Sequence, residues 1–409
     1  MWELIRANRR NSILLMVLMA VVLLSLGFVI GMAAMGQEGG LFGVAIAAGI
    51  WLVLALVSFS SGDQILLAAS GAKPVTHDVH PQLFNIVEEM KIAAGLPVMP
   101  KIYIINDPAP NAFATGRNPR SASIAVTAGL LARLNRDELQ GVVAHEMSHI
   151  LHRDILYVTV AGIMLGSIAL LSQVFLRGMF YQSMGSPRRR YSSDSQGAGQ
   201  AQIVILLITI VAAILAPILA QLLYFALSRR REYMADAGGA RLTRYPEGLA
   251  SALEKIANDP SPQLATANEI TAPMYFANPF KKRGRRTLSD LTSTHPPISE
   301  RIRILRSMSQ GASFRDYSQA YAAVTHSKSV VPASALNEEQ VGIRQGRTDT
   351  SGEEKAQRQI HQIGDIMRRV NGFAFLTCPC GLKLKIPPNF QDNSVSCPRC
   401  GRSLPLGAK

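Results

Sequence analysis

Two long apolar runs near the start of the chain, Ile13 to Met35 and Leu41 to Ser60, leave few folds open to it. A segment of that length with almost no charge satisfies its own backbone as a helix and hides its side chains in lipid. The first run outlasts the roughly 7–15 apolar residues of a cleaved signal, so an uncleaved membrane helix is expected rather than a removed leader. Gly36 to Gly40 supply a tight turn, and the second run returns across the bilayer. Two further runs, Leu156 to Leu176 and Gln202 to Leu227, are each long enough to cross with a little tilt. The expected architecture is a mainly α-helical integral membrane protein with about four transmembrane helices.

Arg6, Arg9 and Arg10 precede the first run, which puts the N-terminus in the cytoplasm and predicts a multi-pass protein of the cell's inner membrane. The segment from Ser61 to Asp154 then lies on the cytoplasmic side as well. Arg188, Arg189 and Arg190, between the third and fourth runs, oppose that tendency if both runs span; a re-entrant pair is the competing arrangement. Hydrophobic residues make up 48% and charged residues 17%, which argues against an ordinary soluble enzyme. The net charge of +14 suits a negatively charged surface, lipid or nucleic acid.

Between the second and third runs the pattern changes to a small α/β unit. A helix is expected over Pro81 to Ala94, strands over Lys101 to Asn106 and Ala122 to Thr127, and an extended piece over Asn111 to Thr115. A helix follows, with Asn135 as its N-cap, Glu138 as the capping-box partner, and Leu139, Val142 and Val143 as its apolar face. It carries His145-Glu146-Met147-Ser148-His149. Histidines four apart share a helical face, so both imidazoles reach one metal ion, and Glu146 stands beside them to move protons. His152 is expected to pack or lie on the surface.

A hydrolytic zinc site takes three protein ligands and leaves a position for water. After the fourth run comes Ser228-Arg-Arg-Arg-Glu-Tyr-Met-Ala-Asp236, in which Glu232 and Asp236 again share one face. Glu232 can complete the ligand set, while Asp236 holds the non-ligating nitrogen of a zinc histidine. A hairpin through the bilayer returns this helix to the surface where the histidine helix ends.

These motifs, with Asn111-Ala-Phe-Ala-Thr-Gly116 and Thr294-His-Pro-Pro-Ile-Ser-Glu-Arg-Ile302, resemble those of the HtpX group of membrane zinc metalloproteases, relatives of the CAAX prenyl-protein endopeptidases. The resemblance covers roughly residues 1–310. It implies an α+β zincin-type domain over 61–310 with the transmembrane hairpin 156–227 inserted, and Glu232 as third ligand. It further implies a substrate-binding edge at Asn111, Ala112 and Phe113, and endopeptidase activity on membrane or misfolded proteins in quality control. Glu146 is expected to act as the base, and the resemblance implies His295 or Arg301 as the group that serves the tetrahedral oxyanion.

Residues 1–60 form the first hairpin, 311–371 a flexible linker and helix, and 372–409 a small C-terminal zinc-ribbon-like domain. Ser313 to about Gly352 reads as polar and mobile, and Ile360, Ile363, Met367 and Val370 mark the stripe of a linker helix. All four cysteines lie in the tail: Cys378-Pro-Cys380 and Cys397-Pro-Arg-Cys400, with Leu382 to Ser396 between them expected as a hairpin. Four thiolates in a reducing compartment suit a second, structural zinc; disulfides are the alternative. Anionic lipid is an expected partner, at Lys281, Lys282, Arg283, Arg285 and Arg286. Nucleic acid is not expected, because the tail's lysines and arginines lack an interleaved aromatic platform. The competing function is a non-catalytic zinc-binding membrane adaptor that recruits partners through its ribbon. Glu146 argues against it, since a structural site needs no base. The sequence leaves the oligomeric state open.

Overall fold

The structure, a computed structural model, describes residues 2–185, 196–260, 275–277, 296–308, 311–327, 330–337, 340–346, 364–392 and 394–406. Two helices, α1 (Trp2–Met35) and α2 (Gly39–Ala69), form the N-terminal hairpin. Their segments Ile13–Met35 and Gly39–Ala69 are long and apolar enough to cross a membrane. Glycines make the hairpin close. A Cβ on Gly43 would land on the carbonyl oxygen of Gly27, and one on Gly31 would land on that of Gly39. Small residues one turn apart let two backbones approach in lipid, where no hydrophobic effect drives them together. Gly43→Ile is therefore expected to cost at least the ~1–3 kcal/mol typical of overpacking. The check is the thermal midpoint in detergent, which should fall; an unchanged midpoint would contradict the close packing.

The chain leaves α2 into β1 (Ala72–Pro74), then α3 (Pro81–Ala93), β2 (Lys101–Ile105), β3 (Ala112–Thr115) and β4 (Ser123–Thr127). The sheet order is β1-β2-β4-β3, with β2 and β4 parallel and the two outer strands antiparallel to their neighbours. β3 is thus an edge. A short α4 (Ala128–Arg133), absent from the sequence-based expectation, starts on the Thr127 hydroxyl as N-cap. It turns the chain into α5 (Arg136–Leu151). There the expected capping box is formed: Asn135 Oδ1 accepts from the Glu138 amide at 2.9 Å, and Glu138 accepts from the Asn135 amide at 2.8 Å.

Helix α6 (Ile155–Gly185) follows, and then α7 (Gln196–Thr243). At 1.5 Å per residue α7 is roughly 72 Å long, more than twice a bilayer's ~30 Å hydrocarbon core. It joins an apolar half to a polar half that enters the α/β domain. Leu15, Met19 and Leu23 of α1, Met164 and Ile168 of α6, and Ala213, Ala216 and Ala220 of α7 share one apolar core. On the outside Leu41, Leu56, Leu207 and Leu219 are exposed, as a lipid-facing surface would be.

The main core lies between the sheet, α5, the polar end of α7, α8 (Pro246–Asn258) and α9 (Ile298–Arg306). Beyond it the structure departs from the sequence-based expectation. Residues in the stretch expected to be mobile form α10 (Phe314–Thr325), started by a capping box between Ser313 and Asp316, with Phe314 and Tyr317 buried in the core. Arg344 fastens the following segment to the start of α5, donating to Asp137 at 2.8 Å and to Gln140 at 2.7 Å. Residues 364–370 are helical, and Met367 and Val370 rest on the main core; Ile360 and Ile363 lie outside the described residues.

In the tail β5 (Ala374–Thr377) pairs with β6 (Lys383–Ile386), and β7 (Ser394–Ser396) pairs with β8 (Ser403–Pro405). Leu382 to Ser396 is therefore a connection between two hairpins and not a hairpin itself. Each cysteine pair occupies the turn of one hairpin, closed by a left-handed glycine, Gly381 (φ 86°) or Gly401 (φ 72°). A hairpin centred between the pairs would have pulled the cysteines out of those turns.

Candidate metal centre and active site

Helix α5 presents His145, Glu146 and His149, and helix α7 crosses it with Glu232 and Asp236. The crossing is close because α7 carries Gly238, where a Cβ would strike the Ser148 hydroxyl. One ligating atom each from His145, His149 and Glu232 lie within 4.8 Å of one another. His145 Nε2 is 3.7 Å and His149 Nε2 3.6 Å from the Glu232 carboxylate. The sequence-derived trio thus converges.

The orientation of the two rings decides what the trio can hold. His145 Nδ1 lies 2.9 Å from Asp236 Oδ1, and His149 Nδ1 lies 3.0 Å from Asp154 Oδ2. An ionised carboxylate only accepts, so each Nδ1 carries a proton and Nε2 is left as the nitrogen that can turn to a metal. The two Nε2 atoms are 3.2 Å apart. Set that close together beside the Glu232 carboxylate, they call for positive charge between them, either a proton shared from His149 or a metal ion in its place. Zinc bound tetrahedrally at about 2.0–2.1 Å would set its nitrogens roughly 3.3 Å apart. The donor set fits the ion.

Asp236 is itself held from behind. Arg301, fully buried, grips it with a fork: Nε donates to Oδ2 at 2.8 Å and Nη2 to Oδ1 at 2.7 Å. Burial works against the Asp236 charge, but Arg301 and the His145 hydrogen bond outweigh it and hold the carboxyl below its usual range. Arg301 also stacks over the Phe276 ring, 4.9 Å from its centroid, and lies 3.6 Å from Glu232. Sequence reasoning offered Arg301 an oxyanion role; its Nε and Nη2 are engaged by Asp236, while Nη1 is directed to the Phe276 carbonyl and Glu232.

Glu146 is buried beside the ligands, and burial pushes its carboxyl up to about 7, with Glu232 adding to the rise and His149 opposing it. The backbone N–H of Ala114 in β3 faces it and favours its ionised form. Burial drives His145 down to about 4 despite its bond to Asp236. Burial also opposes a charge on His149, yet Asp154, Glu232 and Glu146 overcome it and raise that ring to about 9. The same carboxylates would favour a divalent cation at its Nε2.

The sequence reading missed Asp154 as a site residue, treating it only as the junction with α6. The signal was a carboxylate five residues past His149, just beyond the end of the same helix. Replacing either outer carboxylate, Asp154→Asn or Asp236→Asn, is expected to weaken zinc about 10–100-fold. Competition against a graded chelator measures this, and wild-type affinity in both variants would refute the orienting role. His152 is buried, with Nδ1 3.1 Å from the Ser148 hydroxyl, in a packing position. His295 and the basic cluster Lys281 to Arg286 lie outside the described residues.

At the opposite end, Cys378, Cys380, Cys397 and Cys400 also bring their sulfurs within 4.8 Å of one another. Cys378 and Cys400 sulfurs are 3.5 Å apart and those of Cys380 and Cys397 3.6 Å, far longer than an S–S bond. The cysteines are free thiols, and their set suits a closed four-sulfur metal site.

Peptidase family M48 matches residues 78–309. Among similar proteins, a "Protease HtpX homolog" of Dictyoglomus thermophilum is 45% identical over 310 residues, 76% of this chain and 95% of that protein. Those of Caldanaerobacter subterraneus subsp. tengcongensis and Streptococcus gordonii are 44% and 39% identical, covering 75% of this chain and 98% and 100% of theirs. The crystal structure of S. mikatae Ste24p is similar with a TM-score of 0.39 and 20% identity, over 75% of this chain and 67% of that one. The chain belongs to peptidase family M48, and it is a zinc-dependent membrane metalloprotease. The four-cysteine segment lies beyond the family match.

Proposed function

We propose that the chain crosses the inner membrane four times and cuts membrane or misfolded proteins at the cytoplasmic face, with His145, His149 and Glu232 as the zinc ligands. The observation that carries this is the convergence of two Nε2 atoms and one carboxylate, with Glu146 buried against them and facing the edge strand β3. Bound zinc supplies Lewis acidity toward a peptide carbonyl and water. Glu146 takes the proton of the attacking water and returns it to the leaving amine. Asp236 and Asp154 keep the two imidazoles in the ligating tautomer, and Arg301 keeps Asp236 ionised. Outward-facing apolar residues on α7, such as Leu207 and Leu219, support membrane crossing by the second hairpin as well.

The tail is proposed to hold a second, structural zinc, and Lys281 to Arg286 to touch anionic lipid. Detergent-purified, zinc-loaded protein should cut denatured casein, stop when chelated and recover when zinc returns, with two zinc ions per chain by metal analysis. A loaded protein that cuts no unfolded or membrane substrate would favour the adaptor. Liposome association that survives neutralisation of all five basic residues would remove the lipid contact.

A further inference from the structure

The outer edge of β3 is already partly occupied. Thr127 N–H donates to Asn111 O across the β4 side, so alternation turns the main-chain groups of Ala112 and Ala114 away from β4. These are the groups an extended substrate would pair with. Phe276 N–H donates to Ala112 O at 2.8 Å. The Asn111 side chain clasps the next residue, Nδ2 donating to Ala277 O at 2.8 Å and Oδ1 accepting from Ala277 N–H at 3.1 Å. Along the same edge the next outward group, Ala114 N–H, faces Glu146. The segment therefore lies beside the proposed base.

Its side chains are equally engaged. The Phe276 ring meets His145 edge-on with centroids 4.9 Å apart, and the Tyr275 ring meets Phe113 edge-on at 5.3 Å. Tyr275, Phe276 and Ala277 are all buried. This is how a bound peptide would lie: backbone paired to a sheet edge, aromatic side chains in pockets.

We propose that Tyr275–Ala277 is an internal occupant of the substrate edge, which a substrate strand must displace, and that segments carrying an aromatic residue displace it best. The inference rests on the protease reading above and adds its substrate class. Exchange of one strand for another is nearly balanced, because each hydrogen bond given up by Phe276 and Ala277 is remade by the incoming backbone. An aromatic side chain refilling the place of Phe276 restores the ring contact with His145 and Arg301; a small one leaves it empty. Extended backbone with free aromatic residues is offered by unfolded chains and withheld by folded ones, so the occupant discriminates in favour of the former. While it is in place, apparent substrate affinity is reduced by the fraction of molecules whose edge is free.

Hydrogen exchange on the zinc-loaded Glu146→Gln protein tests this in the intact chain. With denatured casein bound, as reported by fluorescence anisotropy, amides at 275–277 should exchange at least about tenfold faster, while those of β4 stay protected. Unchanged protection at 275–277 with casein bound would overturn the proposal. A second arm uses Phe276→Ala at equal zinc content. In combination with Glu146→Gln, with casein binding read by anisotropy, occupancy predicts a Kd lowered several-fold; an unchanged or raised Kd would mark the segment as a fixed brace and overturn it. Cleavage by Glu146→Gln would count against the protease mechanism alone, because the exchange readout needs no turnover.

Discussion

Glu146→Gln is expected to lower kcat/KM on an unfolded substrate by about 10²–10⁴-fold, the range associated with a positioned general base, while zinc content stays at the wild-type level. The two halves of that expectation come from different atoms. In the proposed ligand set of His145, His149 and Glu232, the two imidazoles are held at Nδ1 by Asp236 and Asp154 and not by Glu146. Activity depends on a carboxylate that can carry a proton near neutral pH, and burial raises Glu146 to about 7. Glutamine keeps the volume and can still accept the Ala114 N–H, so neither the fold of α5 nor its packing on β3 should change. It cannot take a proton from water. The measurement is cleavage rate with bound zinc and thermal midpoint determined on the same preparation. A variant that cuts within about threefold of wild type would remove Glu146 from the proton path.

Much of this site was legible in the sequence because its parts are local. His145 and His149, and likewise Glu232 and Asp236, are four apart, and helical geometry alone places each pair on one face. That the pairs meet followed from the second hairpin, whose ends return to one surface. What the sequence withheld is set by contacts between distant segments. Nothing near Arg301 announces a fork onto Asp236, and nothing in Tyr275-Phe276-Ala277 announces a strand laid on β3. Helix α10 is a different case. Its signals were present, with Ser313 and Asp316 as a capping box and Phe314, Tyr317 and Tyr321 on one face, but the polar residues around them hid the stripe. In the tail, cysteine spacing pointed to a four-sulfur site, whereas strand pairing depended on where the tight turns fell.

Arg301→Met should be among the most damaging single changes in the chain, at about 3–5 kcal/mol of stability, because it strips the cation from a fully buried ion pair. Asp236 would then keep only His145 as a partner within the cage, and Glu232, 3.6 Å from the guanidinium, would lose a positive charge beside it. Methionine approximates the stem and ring-stacking volume of arginine, so the loss would report charge and hydrogen bonds more than a cavity. Arg301→Lys is expected to rescue only part of it, since one ammonium cannot place two parallel donors on both oxygens of Asp236. The pairing itself is tested by adding Asp236→Asn to Arg301→Met. With the unpaired carboxylate gone, the double variant should be less destabilised than the sum of the singles, by about 0.5–3 kcal/mol of coupling. Zinc should narrow the difference further, because a divalent cation supplies positive charge to the same carboxylates; thermal midpoints would therefore be compared with and without metal. If Arg301→Met melts with wild type in the metal-free state, or if the two substitutions simply add, Arg301 is not what keeps Asp236 charged, and the orientation of His145 must come from helix packing alone.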